Sequence, residues 1–186
     1  MGQVVRLLYF HVGSAWNAFL AFGVVLIGSV AFLRTRAPRW DRLAAASAEI
    51  GVVFTTVTLL SGMFWARAVW NTWWRWEPRL TTTALLWFIY VAYLILRSSV
   101  EEPERRGTLA AVVGIAGFLD VPLVYFSARW WGGFHPSAVE MSGSMVLALV
   151  ASVFAFTALY AELLGLAVAT RAAEDRLARL RAGARP

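Results

Sequence analysis

The chain has 186 residues, of which 60% are hydrophobic and only 15% are charged, and its net charge is +6. A typical soluble domain is about 25% charged, so these proportions argue against a disordered chain, a nucleic-acid-binding module and an ordinary cytosolic enzyme. All 17 basic residues are arginine, and the chain has no cysteine, which excludes disulfides and thiolate metal ligands.

Five segments are long and apolar enough to cross a membrane as helices, which takes about 20 residues each. In chain order they are residues 12–33, 43–64, 80–96, 109–126 and 144–168. The segments between them are too short to form a second domain. The sequence therefore predicts an all-α integral membrane protein, a single domain over residues 1–186 built as a bundle of about five transmembrane helices.

The arginines of the connecting segments predict the orientation, because cytoplasmic segments are enriched in basic residues. Twelve arginines lie in one set of alternate segments, residues 34–42, 97–108 and the tail 169–186. Five lie in the other set, residues 1–11, 65–79 and 127–143. We therefore expect the N-terminus outside and the C-terminus in the cytoplasm. The basic tail is expected to lie against anionic membrane lipids, with docking of a cytoplasmic partner as the alternative.

Three acidic residues fall inside predicted spans, namely Glu49, Asp120 and Glu162. Glu49 and Glu162 lie within a turn or two of the predicted cytoplasmic interface, where water accounts for them. Asp120 precedes Val121 and Pro122, and we interpret its carboxylate as a partner for backbone groups that a proline kink frees. None of the three is assigned to a functional site.

Most tryptophans fall on the predicted outer side. Eight of the ten lie in outer segments or the helix ends beside them: Trp16, Trp65, Trp70, Trp73, Trp74, Trp76, Trp130 and Trp131. The alternative is an interfacial aromatic belt, but a belt places tryptophan at both interfaces, and only Trp40 lies in a predicted cytoplasmic segment. The asymmetry, together with Arg75 and Arg79 beside the central tryptophans, favours a platform for a large, flat, apolar ligand that carries anionic groups.

Both histidines of the chain, His11 and His135, fall on the same predicted outer side. The alternative is that each is a solitary interfacial residue bonded to backbone or water. Two neutral imidazoles are suitable axial ligands for haem iron, whereas a zinc site needs more ligands than two. Haem would also present propionates to arginine. The pattern favours His11 and His135 as iron ligands and leaves the propionate partner open among four arginines: Arg67, Arg75, Arg79 and Arg129.

Three separated segments resemble the CcmC family, the haem-handling membrane subunit of the cytochrome c maturation system. Residues 70–81, WNTWWRWEPRLT, resemble the outer motif of that family, WGxWWxWDxRLT. Residues 11–16, HVGSAW, resemble its HVPSAW segment, and residues 121–135, VPLVYFSARWWGGFH, resemble its VPI-x-x-FS-x-x-WW-x-x-x-H segment. The three segments occur in the family's order and together extend over most of the chain.

The resemblance implies that haem b, carried as cargo, is held at the outer face of the cytoplasmic (inner) membrane with His11 and His135 as its metal ligands. The other residues implied to contact haem, or the protein that receives it, are Trp70, Trp73, Trp74, Trp76, Glu77, Arg79, Trp130 and Trp131. The receiving partner would be a membrane-anchored haem chaperone similar to CcmE. Further implied partners are transporter subunits similar to CcmA and CcmB, which would supply any ATPase activity, and a small protein similar to CcmD.

The chain departs from the family pattern at several positions. The family has six spans, the first of which precedes the first histidine, whereas Met1 lies only ten residues before His11. That span is therefore expected to be absent or to lie upstream. Asn71 replaces the motif glycine, which is expected to remove the freedom of glycine to adopt a positive φ. Gly13 stands where the family has proline, and Pro136 where it usually has glutamine.

The sequence thus favours a haem-binding and haem-delivering membrane protein rather than an enzyme, with no nucleic-acid partner. Two alternatives come from other classes: a haem-b electron-transfer subunit of a membrane oxidoreductase, and a cofactor-free transporter subunit whose tryptophans form only a belt. Electron-transfer subunits usually hold haem between histidines of facing helices, whereas His135 lies in a predicted loop. The visible spectrum of the purified protein separates these possibilities.

Overall fold

The computed structural model describes residues 4–133, 135 and 140–183. Residues 182 and 183 are described by their backbone alone. Within these ranges the fold consists of helices without strands, which confirms the predicted all-α class. The helices are α1 (Val5–Thr35), α2 (Pro38–Trp70), α3 (Pro78–Ser99), α4 (Pro103–Phe118), α5 (Asp120–Trp130) and α6 (Gly143–Gly183). Of the residues discussed above, Met1, Pro136 and part of the segment 127–143 lie outside the described residues.

Among the described residues, five helical segments are long and apolar enough to cross a membrane, as predicted. Helices α1, α2, α3 and α6 provide four of them, while α4 and α5 together provide the fifth, Pro103–Trp130. That span is interrupted at Leu119, whose backbone N–H bonds the carbonyl of Ala116 at 3.2 Å. Proline occupies the first turn of α2, α3 and α4, where its fixed φ favours helix initiation and no backbone donor is lost.

The helices extend beyond the apolar segments that predicted them. Helix α1 begins six residues before His11, at Val5, so His11 is a helical residue. Helix α2 continues to Trp70, so the predicted outer segment 65–79 is non-helical only over residues 71–77. Asn71 ends α2 in the left-handed conformation with a φ of 55°. The expectation that asparagine removes positive φ at this position is wrong, because asparagine enters the left-handed region more readily than other side chains.

The tightest packing joins α1 and α2, which form an antiparallel pair. A side chain at Gly51 would place its Cβ only 2.6 Å from Cε1 of Phe22, so the two helices approach closely where α2 has no side chain. Phe22 in turn stacks on Tyr90 of α3, with 3.7 Å between the ring centroids. Small residues at helix interfaces are typical of membrane bundles, since they allow extensive van der Waals contact.

Helix α6 packs on the outside of the bundle, with a small buried fraction. Hydrogen bonds attach its first half: Ser152 Oγ donates to the Tyr9 carbonyl, and the hydroxyls of Tyr160 and Ser47 lie 2.8 Å apart. With 41 residues it is about 60 Å long, roughly twice the hydrocarbon thickness of a bilayer. Part of α6 therefore projects beyond the membrane.

The two ends of the bundle differ in chemistry. The end at which α1 begins and α2 finishes contains His11, and we call it the histidine end. The opposite end, here called the arginine end, is tied by ion pairs between helices. Arg97 binds Asp41 through two bonds of 2.6 and 2.8 Å. Two further pairs join α2 to α6: Arg42 of α2 pairs with Asp175, and Arg171 of α6 pairs with Glu49.

Asp120 has a different environment from the one expected. It is buried at the start of α5, and neither carboxylate oxygen has a hydrogen-bond partner within the part of the chain that the structure describes. Its interpretation as a partner for freed backbone groups is therefore wrong. The break at Leu119 is instead closed by the backbone bond to Ala116.

Candidate ligand-binding site

A cavity of about 530 Å³ lies at the histidine end, between α1, α2, α3, α5 and α6. This volume falls within the range of about 300–1,000 Å³ typical of small-molecule pockets. Its walls are largely apolar, formed by side chains such as Leu8, Val12, Phe19, Leu80, Leu86 and Val124. The polar groups that reach it are few and include two imidazoles and one guanidinium, those of His11, His135 and Arg79.

His11 is held by the facing helix α2. Its Nδ1 lies 3.1 Å from the carbonyl oxygen of Thr58 and 3.1 Å from the hydroxyl oxygen of Ser61. Gly62 provides the space for this approach, since a Cβ there would lie 3.2 Å from Cε1 of His11. The imidazole is thus fixed against α2 through one nitrogen.

His135 is held by the start of α3 and its preceding residue. Its backbone N–H donates to Glu77 Oε2 at 3.1 Å, and its ring Nδ1 lies 3.0 Å from Nη1 of Arg79. The second terminal nitrogen of Arg79 donates to the Tyr125 carbonyl of α5 at 2.9 Å. Gly133 allows the close approach of Glu77, because a Cβ there would lie 3.1 Å from Glu77 Oε2.

The two imidazoles face the same cavity although 124 positions separate them in the sequence. Their ring centroids are 6.2 Å apart, and the ring planes are inclined by 34°. Two metal–imidazole bonds of about 2 Å each, plus the distance from each bonded nitrogen to its ring centre, place the centroids of opposite ligands about 6 Å apart. The spacing therefore suits one metal atom between two imidazoles.

A metal site made of protein groups alone is not formed by the described residues. No cluster of three or more histidine, cysteine, aspartate or glutamate side chains with ligand spacing occurs within residues 4–133, 135 and 140–183. A metal bound by these two imidazoles in an apolar cavity would have to bring its remaining ligands with it. A planar macrocycle that already holds its metal by four nitrogens satisfies this requirement.

The outer tryptophans fall into two groups. The cavity tryptophans, which line the cavity, are Trp16, Trp65, Trp70 and Trp74. The surface tryptophans, which are exposed outside it, are Trp73, Trp76, Trp130 and Trp131. Of the residues that the sequence assigned to the site, His11, His135, Trp70, Trp74 and Arg79 line the cavity, and buried Glu77 contacts His135 from behind.

Several residues that shape the cavity were missed by the sequence interpretation. Thr58, Ser61 and Gly62 hold or accommodate His11, and Trp65, already counted among the outer tryptophans, follows them on the same side of α2. Their spacing of three, four and seven residues is that of one helix face, which is the signal that could have identified them. Met141 and Leu149 close the cavity from the α6 side, and their sequence context carries no comparable signal.

Comparison of the sequence with known proteins gives matches to one family. The model of the family described as CcmC, Heme exporter protein C, matches residues 1–182. The chain is 35% identical to Heme exporter protein C of Bradyrhizobium diazoefficiens, over 87% of this chain and 64% of the relative. It is 29% identical to Heme exporter protein C of Escherichia coli K12, over 87% of this chain and 68% of the relative.

A plant relative extends the comparison. The chain is 34% identical to a protein of Marchantia polymorpha named as a putative cytochrome c biosynthesis ccmC-like mitochondrial protein, over 78% of this chain and 61% of the relative. The chain thus spans only 61–68% of the length of these three relatives.

Proposed function

The chain belongs to the CcmC family, whose model matches nearly its whole length, and on this basis we propose that it binds haem b at the histidine end and delivers it to a haem chaperone for cytochrome c maturation. The observation that carries the proposal is the pair of imidazoles 6.2 Å apart across an apolar, tryptophan-lined cavity. Haem is the cargo here, and the chain acts as a binding protein rather than an enzyme.

The residues of the cavity suit the chemistry of haem. His11 and His135 would serve as the axial ligands, and the cavity tryptophans with their aliphatic neighbours would contact the apolar faces of the porphyrin. Nη1 of Arg79 lies 3.0 Å from the ring of His135, so its guanidinium would be available to pair with a propionate of the bound haem. Glu77 keeps His135 in position through the backbone bond.

The surface tryptophans support the delivery step. Trp73, Trp76, Trp130 and Trp131 are each at least half exposed, and the first two flank Trp74 of the cavity in the same loop. Exposed aromatic side chains next to a ligand cavity are typical of protein interaction sites. We assign them to contact with a chaperone similar to CcmE, which would collect haem at this end.

The proposal includes an orientation and a complex. The arginine-rich segments would face the cytoplasm, so the histidine end would lie at the outer face of the inner membrane. Transporter subunits similar to CcmA and CcmB and a small protein similar to CcmD would complete the assembly, and any ATP hydrolysis would belong to them. In this orientation the tail of α6, which projects beyond the membrane, would lie on the side where such an ATPase would bind.

Haem titration of the purified protein tests the ligand assignment. We expect one haem per chain with the visible spectrum of low-spin, six-coordinate iron, because two imidazoles occupy both axial positions. His11→Ala and His135→Ala should each lose that spectrum. Added imidazole should restore it in either variant, which controls for misfolding. If both alanine variants retain the low-spin spectrum, the histidines are not the ligands and the proposal fails.

A further inference from the structure

The hydrogen bonds of the two histidines impose different tautomers. On His11, Nδ1 faces the Thr58 carbonyl, which can only accept a hydrogen bond. The Ser61 hydroxyl donates to the Val57 carbonyl at 2.7 Å, so toward His11 its oxygen is an acceptor as well. Nδ1 of His11 therefore carries the proton in the neutral ring, and Nε2 keeps the lone pair that a metal requires.

The partner of His135 has the opposite polarity. Nη1 of Arg79 lies 3.0 Å from Nδ1 of His135, and a guanidinium has only donors. Nδ1 of His135 therefore accepts, and in the neutral ring the proton lies on Nε2. A nitrogen that carries a proton has no lone pair for iron, and Nδ1 is occupied by Arg79. In this arrangement His11 is ready to bind iron and His135 is not.

We propose that Arg79 is a positioning residue that makes iron ligation by His135 conditional on a carboxylate brought by the porphyrin. This inference rests on the proposed function. A carboxylate near Arg79 would draw the guanidinium away from His135, since a guanidinium binds an anionic carboxylate, with two parallel bonds, more strongly than it binds a neutral imidazole. The proton of His135 then leaves Nε2 and another is taken up at Nδ1, so the charge of the ring is unchanged and Nε2 becomes a ligand.

The inference predicts which iron porphyrins become six-coordinate in this site. Iron porphyrins with free propionates draw Arg79 away from His135, which then binds the iron and makes it six-coordinate. Esterified porphyrins bind through His11 alone. Arg79 is well placed for this selection because it also bonds the Tyr125 carbonyl, which holds its guanidinium between α3 and α5 at the cavity. Loss of the carboxylate contact, for instance during transfer, would return Arg79 to His135 and release one axial position.

The tautomers can be measured without haem, because the chain has only two histidines. We suggest nitrogen-15 NMR of the full-length protein with labelled histidine, purified free of haem, at about pH 8, above the ordinary imidazole pKa of about 6.5. The wild-type protein should show one ring protonated on Nδ1 and one protonated on Nε2. His11→Ala should remove the first signal set, and Arg79→Gln should leave His135 as a mixture of the two tautomers, because the guanidinium that fixes Nδ1 as an acceptor is gone.

The matched control is Arg129→Gln. Arg129 is an exposed arginine on α5, close enough to Arg79 to influence its charge, so its replacement removes a neighbouring charge and leaves the bond to His135 in place. It should not alter either tautomer. If both rings of the wild-type protein carry the proton on Nδ1, or if Arg129→Gln has the same effect as Arg79→Gln, the inference is wrong.

Titration with haem and with haem dimethyl ester provides the second measurement. Wild-type protein should bind the free acid in a low-spin, six-coordinate form and the ester in a five-coordinate form, with affinity lower by about tenfold or more because a charge-assisted bond is missing. Arg79→Gln should give six-coordinate iron with both. Six-coordinate ester in the wild-type protein would mean that Arg79 only pairs with propionates and does not control His135.

These results separate the inference from the proposed function. Six-coordinate haem in a wild-type protein whose two tautomers are equal would overturn the role of Arg79 and leave haem binding intact. Failure of the wild-type protein to bind haem at all would overturn the proposed function, and this inference with it.

Discussion

Residues far apart in the sequence determine the position of each imidazole. His11 is fixed by α2, 47 and 50 positions further along the chain, and His135 by the first turn of α3, 56 positions before it. Groups that hold a metal-binding histidine from behind set its orientation and its tautomer, and their loss typically reduces metal affinity. We therefore expect binding at this site to depend on Ser61, Gly62 and Arg79 as well as on the two histidines.

Gly62 offers a test of this dependence. We expect Gly62→Val to push the imidazole of His11 away from α2, because even a Cβ would lie 3.2 Å from Cε1 of the ring. Haem affinity should fall by about tenfold to a hundredfold, as for other groups that support a metal ligand. A haem titration monitored by absorbance provides the measurement.

The control for Gly62 is Gly165→Val on α6, where a Cβ would have no neighbour within 4 Å. It introduces the same side chain into another helix of the bundle, and we expect haem affinity close to that of the wild-type protein. Equal losses for the two variants would show that valine acts through the helix and not through His11.

At the scale of the elements, the segment between α2 and α3 divides its tryptophans between the cavity and the surface. Trp74 turns toward the cavity, whereas Trp73 and Trp76 on either side of it are exposed, the latter by 83%. The left-handed turn at Asn71 starts this arrangement, and the bond from Arg67 to the Asn71 carbonyl supports it. A short segment thus presents one aromatic side chain inward and two outward.

This division predicts two different phenotypes. Trp70→Ala with Trp74→Ala should weaken haem retention, because both side chains line the cavity. Trp73→Ala with Trp76→Ala should retain haem and slow its transfer to a chaperone similar to CcmE. Haem content after gel filtration measures the first property, and mixing the loaded protein with the purified chaperone measures the second.

Trp87→Phe on α3 is a suitable control for both pairs, since Trp87 bonds Thr56 within the bundle and belongs to neither tryptophan group. It should change neither retention nor transfer. Identical behaviour of the two double variants would contradict the division into cavity and surface tryptophans.

At the scale of the whole molecule, the two ends of the bundle differ in chemistry: ion pairs surround a cavity of about 710 Å³ at the arginine end, whereas the cavity at the histidine end is largely apolar. Arg97 and Asp41 form a bidentate pair whose side chains are only 14% and 16% exposed. This pair joins the end of α3 to the start of α2. Breaking a pair that is largely removed from water leaves one charge without compensation.

We therefore expect Arg97→Met to destabilise the protein by about 3–5 kcal/mol. Combining it with Asp41→Asn should recover part of the loss, since the uncompensated carboxylate is then gone. Glu104→Gln, which removes the partner of an exposed pair with Arg36, should cost less than about 1 kcal/mol. Thermal or denaturant unfolding in detergent measures all three, and equal losses for Arg97→Met and Glu104→Gln would contradict this prediction.

The orientation of the molecule gives a further prediction. A reporter enzyme that is active only outside the cytoplasm should be inactive when fused after Arg36, because the twelve arginines of that side predict that it faces the cytoplasm. The same reporter fused after Asn71, between α2 and α3, should be active. The reverse pattern would place the histidine end in the cytoplasm and contradict delivery to an outer chaperone.

The order and composition of the residues already specify the helical class, the five spans and the two ends between which they run. Runs of apolar residues are sufficient for this, because a spanning segment must satisfy its backbone as a helix. The motif around residues 70–81 also identifies the family before any coordinates are considered, and the match to residues 1–182 confirms it. Boundaries were less accurate, since helices such as α2 continue past their apolar stretch.

The direction in which each side chain faces could not be derived in the same way. In a soluble helix the apolar face marks the core, but in a membrane the lipid is as apolar as the interior, so the contrast between faces is weak. Packing between helices determines three such features: the inward direction of Trp74 beside exposed Trp73, the burial of the Asp120 carboxylate, and the hydrogen bond between Arg79 and His135. These features depend on how α1, α2, α3 and α5 pack together, and only the tertiary structure determines that packing.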